Sequence, residues 1–207
     1  MPTEVSISNQ AIIRVGGNII ISLDDESIEA QVCKAFYEPT RDIVLEEFQW
    51  SFAIKRYVLP QVIADPSVVN AGQYSGYFLQ PADILNIIRV ADNPDDRTPA
   101  SQWAKEGPYI TSNIKQAYVK AVAQVTDPKQ FSAMFTQAFM LRLASEIAMP
   151  LAQSANLQKS LLSEYGQAVR AASARDGQQG TPLRIRSNEY VAVRSMDNGG
   201  SYLGPYV

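Results

Sequence analysis

The chain has 207 residues and 46% of them are apolar, so it is long enough to bury one core, with room for a smaller appended part. A formal net charge of -3 argues against an ordinary nucleic-acid binder, because such proteins concentrate lysine and arginine. The absence of histidine excludes Ser-His-Asp and Cys-His catalysis and zinc sites that use histidine. Cys33 is the single cysteine, and a buried thiol in a reducing cytosol is expected.

Neither a signal peptide nor a membrane span is expected. The N-terminal residues lack a cationic start followed by a continuous apolar run. The apolar stretches elsewhere fall far short of the ~18 residues that a spanning helix needs.

The first fifty residues predict helices. Apolar residues at helical spacing over 9–15 stop at Gly16-Gly17, which indicates a short first helix and its C-terminus. A second amphipathic helix is predicted from Asp24. Its pattern is interrupted at Glu38-Pro39, so we expect two helical segments joined there by a kink or tight turn.

The middle of the chain predicts a small antiparallel sheet, because short runs rich in Tyr, Val and Ile alternate with Pro, Gly and Asp clusters. The predicted strands lie in SFAIKRYVL, GYFL, ILNIIRV, PYITS and AYVKAVAQV. Residues 80–83 predict a turn, NPDDRTPAS a loop, and KEGP before Tyr109 a hairpin turn.

Two further helices are predicted after the strands. Asp127-Pro128 is typical of a helix N-terminus, and a long apolar face follows it as far as Pro150, which marks an end or a kink. The last helix carries an apolar stripe before Gly177 and is expected to pack antiparallel to the one before it. The stripe consists of Leu157, Leu161, Tyr165, Ala168 and Ala172.

The last thirty residues predict an extended arm, because apolar residues alternate there with arginines and other residues but are too few to form a core. These arginines could face DNA or pair with acids of a neighbouring subunit, and we expect the second, given the acidic chain as a whole. The predicted subunit-interface residues are Leu183, Arg184, Ile185, Arg186, Tyr190, Val191 and Val193.

The predicted fold is α+β and mainly α. It combines a bundle of N-terminal and C-terminal helices with a small inserted antiparallel β-domain and an extended C-terminal arm. The predicted boundaries are 1–50 and 127–176 for the two helical parts, 51–126 for the β-domain and 177–207 for the arm.

Eight of the chain's 21 carboxylates lie between Ser22 and Ala53, which raises the question of an acidic active site. We interpret them instead as residues of helix ends and solvated faces, since a helix N-terminus favours negative charge. The first group is Asp24, Asp25, Glu26 and Glu29. A glycosidase would need two acids about 5 to 10 Å apart, and nothing in the sequence selects such a pair. No catalytic, cofactor-binding or metal-binding residue is predicted.

Several motifs keep a common order along the chain. An acidic SLDD is followed by YEPTRD and WSFA, then by LQPADILNIIRV, a hairpin at 107–112, VTDPKQF and LLSEYGQAVRAASARD. In this order and through about residue 176, the sequence resembles the head-to-tail adaptors of short-tailed bacteriophages, a family also called tail tubular protein A or gatekeeper. The last thirty residues do not match that family.

The resemblance implies a virion structural protein without catalysis or cofactor. Family members form a dodecameric ring between the portal protein and the tail nozzle protein, in the neck of the virion, after assembly in the host cytoplasm. Double-stranded DNA passes through the ring without specific binding, and an acidic channel would suit this because it repels the phosphate backbone. No membrane partner is implied.

Two other functions stay open. A carboxylate-dependent polysaccharide hydrolase of the tail would need two acids converging in a pocket, one with a raised pKa. A monomeric interaction module would need the arm to fold onto its own body.

Overall fold

The computed structural model describes residues 2–63, 74–96 and 98–179. Within these ranges the chain is α+β and mainly helical, which confirms the predicted class. The helices are α1 (Glu4–Val15), α2 (Ile28–Glu47), α3 (Ala133–Ala152) and α4 (Ala155–Asp176). The strands are β1 (Ile54–Pro60), β2 (Gly76–Leu79), β3 (Ile84–Ala91), β4 (Trp103–Glu106), β5 (Tyr109–Ser112) and β6 (Gln116–Ala123).

Helix α1 is capped at both ends. Thr3 and Ser6 exchange side-chain and backbone hydrogen bonds in a capping box, which starts the helix before the predicted range. Gly16 ends it with a φ of 80°, a left-handed conformation that favours glycine. The predicted stop is therefore confirmed and the predicted start is too late.

Helix α2 is continuous through Pro39, so the predicted division into two segments is wrong. Proline removes its own N–H and the hydrogen bond to the carbonyl four residues earlier. Buried residues on both sides of it, Tyr37 before and Val44 and Leu45 after, hold the helix on the core across this gap. Ser27 caps α2 by accepting from the N–H of Ala30, so the helix starts later than predicted.

The predicted helix start at Asp127-Pro128 is a short 3-10 turn, Pro128–Gln130. The side chain of Asp127 caps this turn, whereas Ser132 caps α3 itself. Asp127-Pro128 therefore correctly predicted a helical start. Phe131, which has an extended backbone, separates this short turn from α3.

Helix α3 passes through Pro150 and runs to Ala152. Gln153, with a φ of 49°, reverses the chain, and Ser154 caps α4. The stripe predicted on α4 is confirmed at its most buried members, Leu161, Tyr165 and Ala172.

Helix α3 is the centre of the helical part, because α1, α2 and α4 all pack against it. A ring cluster at its N-terminal half joins it to the segment after α2, with centroid distances of 5.1 Å from Phe135 to Trp50 and 5.0 Å from Phe135 to Phe52. Both Trp50 and Phe135 are fully buried. Edge-to-face ring pairs of this kind add to the free energy of burial.

The strands form two three-stranded antiparallel sheets, not the single sheet predicted. Sheet 1 has the order β1-β6-β3 and sheet 2 the order β2-β5-β4. β4 was not predicted as a strand; it forms a hairpin with β5 at the predicted KEGP turn, where Gly107 has a φ of 58°. The sheets share a hydrophobic cluster that includes Phe78 and Ile110 from sheet 2 and Val90, Val119 and Ala121 from sheet 1.

Sheet 1 is covered by helices on its other side. In β6, Val119 and Ala121 face sheet 2, while Val122 belongs to the helical core. In β3, the register with β6 skips Leu85 and Ile88, and these two residues pack against the helical core. Because of these two bulges, β3 directs some apolar side chains toward the helical core and others toward the cluster between the two sheets.

Candidate functional site

Four isoleucines of the N-terminal part are more than half exposed: Ile13 by 62%, Ile19 by 69%, Ile21 by 91% and Ile28 by 69%. We call Ile13, Ile19 and Ile21 the isoleucine surface, because Asn9 holds the segment of Ile19 and Ile21 along α1. Exposed apolar side chains that cluster on a protein mark interaction sites more often than isolated ones do.

The segment that carries Ile19 and Ile21 is held along α1 by one side chain. The amide of Asn9 donates to the carbonyl of Ile20 and accepts from its N–H, both at 2.8 Å. Ile20 is buried between its two exposed neighbours. Because Ile13 lies one helical turn after Asn9, the segment and Ile13 occupy the same side of α1.

The predicted interface residues of the arm, from Leu183 to Val193, lie outside the described residues. The structure does describe the end of α4, after which the arm is predicted. Asp176, the last residue of α4, is 7% exposed and accepts hydrogen bonds from the N–H and hydroxyl of Ser51. A cavity of about 360 Å³ lies beside this point. Its lining residues are Ser132, Ala133, Met134, Ala172, Arg175 and Asp176.

Of the four acids assigned to the start of this helix, Glu29 lies in its first turn as predicted, whereas Asp24, Asp25 and Glu26 precede the helix, which begins only at Ile28. Asp25 caps the preceding turn, where its carboxylate accepts from the N–H groups of Ile21 and Ser22 at 2.9 and 3.0 Å. Asp24 forms an exposed ion pair with Lys34 at 2.6 Å. Asp25 therefore has a local structural role, as interpreted from the sequence, but it stabilises a turn and not the start of a helix.

The later acids of the stretch also bind structural partners. Asp42 accepts from Arg41 Nε at 2.8 Å and from the amide of Gln124 at 2.7 Å, which links α2 to the residue after β6. Glu47 accepts from the hydroxyl of Tyr165 on α4. Both acids therefore connect α2 to other elements.

The pKa shifts of Asp24 and Glu29 run in the direction opposite to that of a general acid. Hydrogen bonding and attraction by Lys34 lower the pKa of Asp24, and hydrogen bonds from its own N–H and from Asn18 lower the pKa of Glu29. A hydrolase's proton donor needs a raised pKa. Burial raises the pKa of the Cys33 thiol to about 11, so Cys33 is a protonated core residue at neutral pH.

A polar cavity of about 330 Å³ opens between the start of α1, the turn before α2 and the first half of α2. Three of its side chains are carboxylates, and one buried side chain, Tyr37, also lines it. The lining residues are Glu4, Leu23, Asp24, Lys34, Tyr37 and Glu38. Sequence reasoning missed this group because it combines two helices and a turn that are adjacent only in the fold.

A row of cations crosses sheet 1. Arg56, Lys120 and Arg89 are register partners on β1, β6 and β3, where like charges repel. Asp96, from the loop after β3, compensates them with ion pairs of 2.6 Å to Arg56, 3.2 Å to Arg89 and 3.3 Å to Lys120. Hydrogen bonds from Arg56 and Lys120 hold the pKa of Asp96 well below its usual range. The sequence predicted this loop, but it did not predict that Asp96 pairs with three cations of sheet 1.

Over the three described ranges, no group of three or more acidic or cysteine side chains is placed to hold a metal ion. No helix in the same ranges is both long and apolar enough to cross a membrane.

Neither a protein family nor a curated protein matches this sequence at a significant level. The resemblance to head-to-tail adaptors therefore stays a prediction from the order of the motifs in the sequence.

Proposed function

We propose that this chain is a subunit of a head-to-tail adaptor ring in a short-tailed bacteriophage. The ring joins the portal protein to the tail nozzle protein in the virion, and DNA passes through it during ejection. The proposal assigns the chain a structural role without catalysis, and assembly of the ring takes place in the host cytoplasm.

The isoleucine surface is the observation that supports this proposal best. Ile19 and Ile21 lie on either side of buried Ile20 and are 69% and 91% exposed in the monomer. Burying a side chain of this size contributes about 1.5–3 kcal/mol. A ring offers the partner surface, since each subunit of a closed ring presents one face to one neighbour and a different face to the other.

The charge of the chain suits the channel of such a ring. The formal net charge is -3, so an assembly of many copies is strongly acidic. An acidic lumen does not replace the counterions of DNA and therefore does not hold the duplex.

Mass photometry and electron microscopy of the purified chain, alone and mixed with its cognate portal, test the proposal. We expect monomers or small oligomers in isolation and a closed ring, of twelve subunits in the family to which the sequence is similar, on the portal. A chain that stays monomeric and does not bind the portal at micromolar concentration would contradict it, and would favour an interaction module.

A further inference from the structure

The helices cover only part of their face of sheet 1. Val122, near the end of β6, is buried in the helical core, whereas Lys120 and Tyr118, two and four residues earlier on the same face, are half-buried. Their register partners on β1 are Arg56 and Val58. The side chain of Arg56 is 58% exposed, and Val58 is 55% exposed. We call Arg56, Val58, Tyr118 and Lys120 the cationic face.

The cationic face keeps positive charge after its ion pairs are counted. It lines a cavity of about 120 Å³, whose charged lining residues are the three cations of the row that crosses sheet 1 and one acid, Asp96. Asp96 pairs with all three cations, but one carboxylate neutralises one charge, so two positive charges remain in the lining. A surface with surplus charge is complementary to a surface of opposite charge.

The isoleucine surface lies in an acidic part of the chain. Residues 15–33, which carry two of its three isoleucines, contain four acids and no lysine or arginine. Lys34 pairs with one of these acids, Asp24. The other three take part in no ion pair within the described ranges, and one of them, Glu26, is exposed.

We propose that the isoleucine surface of one subunit packs against the cationic face of a second copy of the chain. In this contact Ile21 lies on Val58 and the ring of Tyr118, and Glu26 pairs with Arg56. The two surfaces are complementary in both respects, because each has an exposed apolar centre and their surplus charges have opposite signs. The alkyl stem of Arg56 extends the apolar area around Val58 while its guanidinium remains free to pair.

The choice of a second copy rests on the proposed ring. Each contact in a closed ring joins two different surfaces of the same chain, so a subunit must carry both halves of the contact. The isoleucine surface belongs to the helical part and the cationic face to sheet 1. Ile21 and Val58 are both exposed in the monomer, so neither surface covers the other within one subunit.

Paired cysteines test the contact directly. Ile21→Cys and Val58→Cys are made in separate chains, at exposed positions where the fold tolerates them, and the chains are mixed with and without the cognate portal under mild oxidation. A disulfide needs Cβ atoms about 4 Å apart. We therefore expect a covalent dimer of the two variants on a denaturing gel, and none from either variant alone.

Two controls accompany this experiment. Leu162→Cys mixed with Val58→Cys should give no dimer above the wild-type level, because Leu162 is exposed on α4, outside both surfaces. The wild type measures the background from Cys33, which is buried.

Charge reversal tests the pairing of Glu26 with Arg56. Glu26→Lys and Arg56→Glu should each raise the protein concentration needed for ring formation on the portal about tenfold, because like charges then face each other. The double variant restores an opposite pair and should return to within about threefold of the wild type. Glu46→Lys, an exposed acid of α2 outside the isoleucine surface, should stay within about twofold. Thermal melts verify that each variant is folded, since Arg56 also pairs with Asp96.

The outcomes separate this inference from the proposed function on which it rests. Rings on the portal without the disulfide between the two variants would overturn the contact while the adaptor function stands. A double charge variant no better than the single ones would overturn the pairing of Glu26 with Arg56 and assign the cationic face to another partner. If the disulfide forms without the portal and no ring forms with it, the contact between copies stands and the adaptor function is wrong.

Discussion

The carboxylate of Asp176 accepts two hydrogen bonds from Ser51, one from the backbone N–H at 2.7 Å and one from the hydroxyl at 2.8 Å. Ser51 opens the segment that leads into β1, and Asp176 ends α4. One side chain thus ties the end of the helical part to the entry of the β part, across 125 residues of sequence.

Replacing Asp176 with alanine should lower the free energy of unfolding by about 1–3 kcal/mol, because it leaves the N–H of Ser51 without this acceptor. Ser51→Ala keeps the N–H bond to Asp176 and loses the hydroxyl bond to it, and it should cost about 1 kcal/mol. Urea unfolding followed by tryptophan fluorescence measures both, since Trp50 is buried next to Ser51. Equal costs for the two variants would show that the N–H bond contributes nothing.

Phe135→Asp should prevent folding, because Phe135 is fully buried among the rings of Trp50, Phe52 and Phe131. Phe135→Ala should fold with a loss of about 3–5 kcal/mol. Leu162→Asp is the control, since Leu162 is 44% exposed on α4 and tolerates a charge. Circular dichroism melting distinguishes them, and a cooperative melt of Phe135→Asp would contradict the assigned face.

The two aspartates before α2 should behave differently. Asp25→Ala should cost about 1 kcal/mol, because two backbone N–H groups lose their acceptor. Asp24→Asn should leave the melting temperature nearly unchanged, because its ion pair with Lys34 is exposed on both sides. Thermal melts of both variants and of the double variant measure this. A larger loss of melting temperature for Asp24→Asn than for Asp25→Ala would show that Asp24, and not Asp25, is the structural acid.

Asp96 should make stability depend on pH in a defined direction. Its folded pKa lies below the value of 3.8 expected when unfolded, so its contribution is fully present above that pH and is lost as the pH falls through the acidic range. Asp96→Asn should therefore cost about 2 kcal/mol at pH 7 and progressively less toward pH 2. Urea unfolding of both proteins at several pH values checks this.

Asp92→Asn is the control for Asp96, because Asp92 is an exposed acid of the same loop that accepts a hydrogen bond only from Asn93 in the described contacts. Its cost should be small. If Asp96→Asn showed a constant cost from pH 7 to pH 2, the cation row would not depend on the charge of Asp96.

Ile21→Asp should reduce assembly without reducing the stability of the monomer, because Ile21 is 91% exposed. Ile20→Asp, its buried neighbour, should instead unfold the N-terminal part. Mass photometry with the portal and thermal melts of the two variants separate these effects. Normal ring formation by Ile21→Asp would remove the isoleucine surface from the subunit contact.

Helix faces were predictable because helical periodicity is local. Leu161, Tyr165 and Ala172 are buried as their spacing predicted, since one packed stripe determines all three. Pro39 misled the prediction because its local cost is offset by distant contacts of Tyr37 and Val44 with the core. A local pattern does not contain those contacts.

The division into two sheets was not predictable from strand patterns. It depends on which strands pair, and β6 lies between β1 and β3 although it follows both at a distance in sequence. The bulges at Leu85 and Ile88 change the side-chain period of β3 without a proline or glycine signal. The cation row and the Tyr37 cavity are likewise products of pairing and packing, so their residues stood out only in the structure.

Sheet 1 packs on both faces, against helices on one and against sheet 2 on the other. This limits which parts of the chain can be exchanged by recombination or expressed as separate fragments. Leu85, Ile88 and Val122 are apolar, belong to the strands, and are covered by helices. A fragment of the strands alone would expose these side chains and would self-associate instead of remaining soluble. The strands are therefore not a transplantable module. Recombination that exchanges them without α2 and α3 should be selected against.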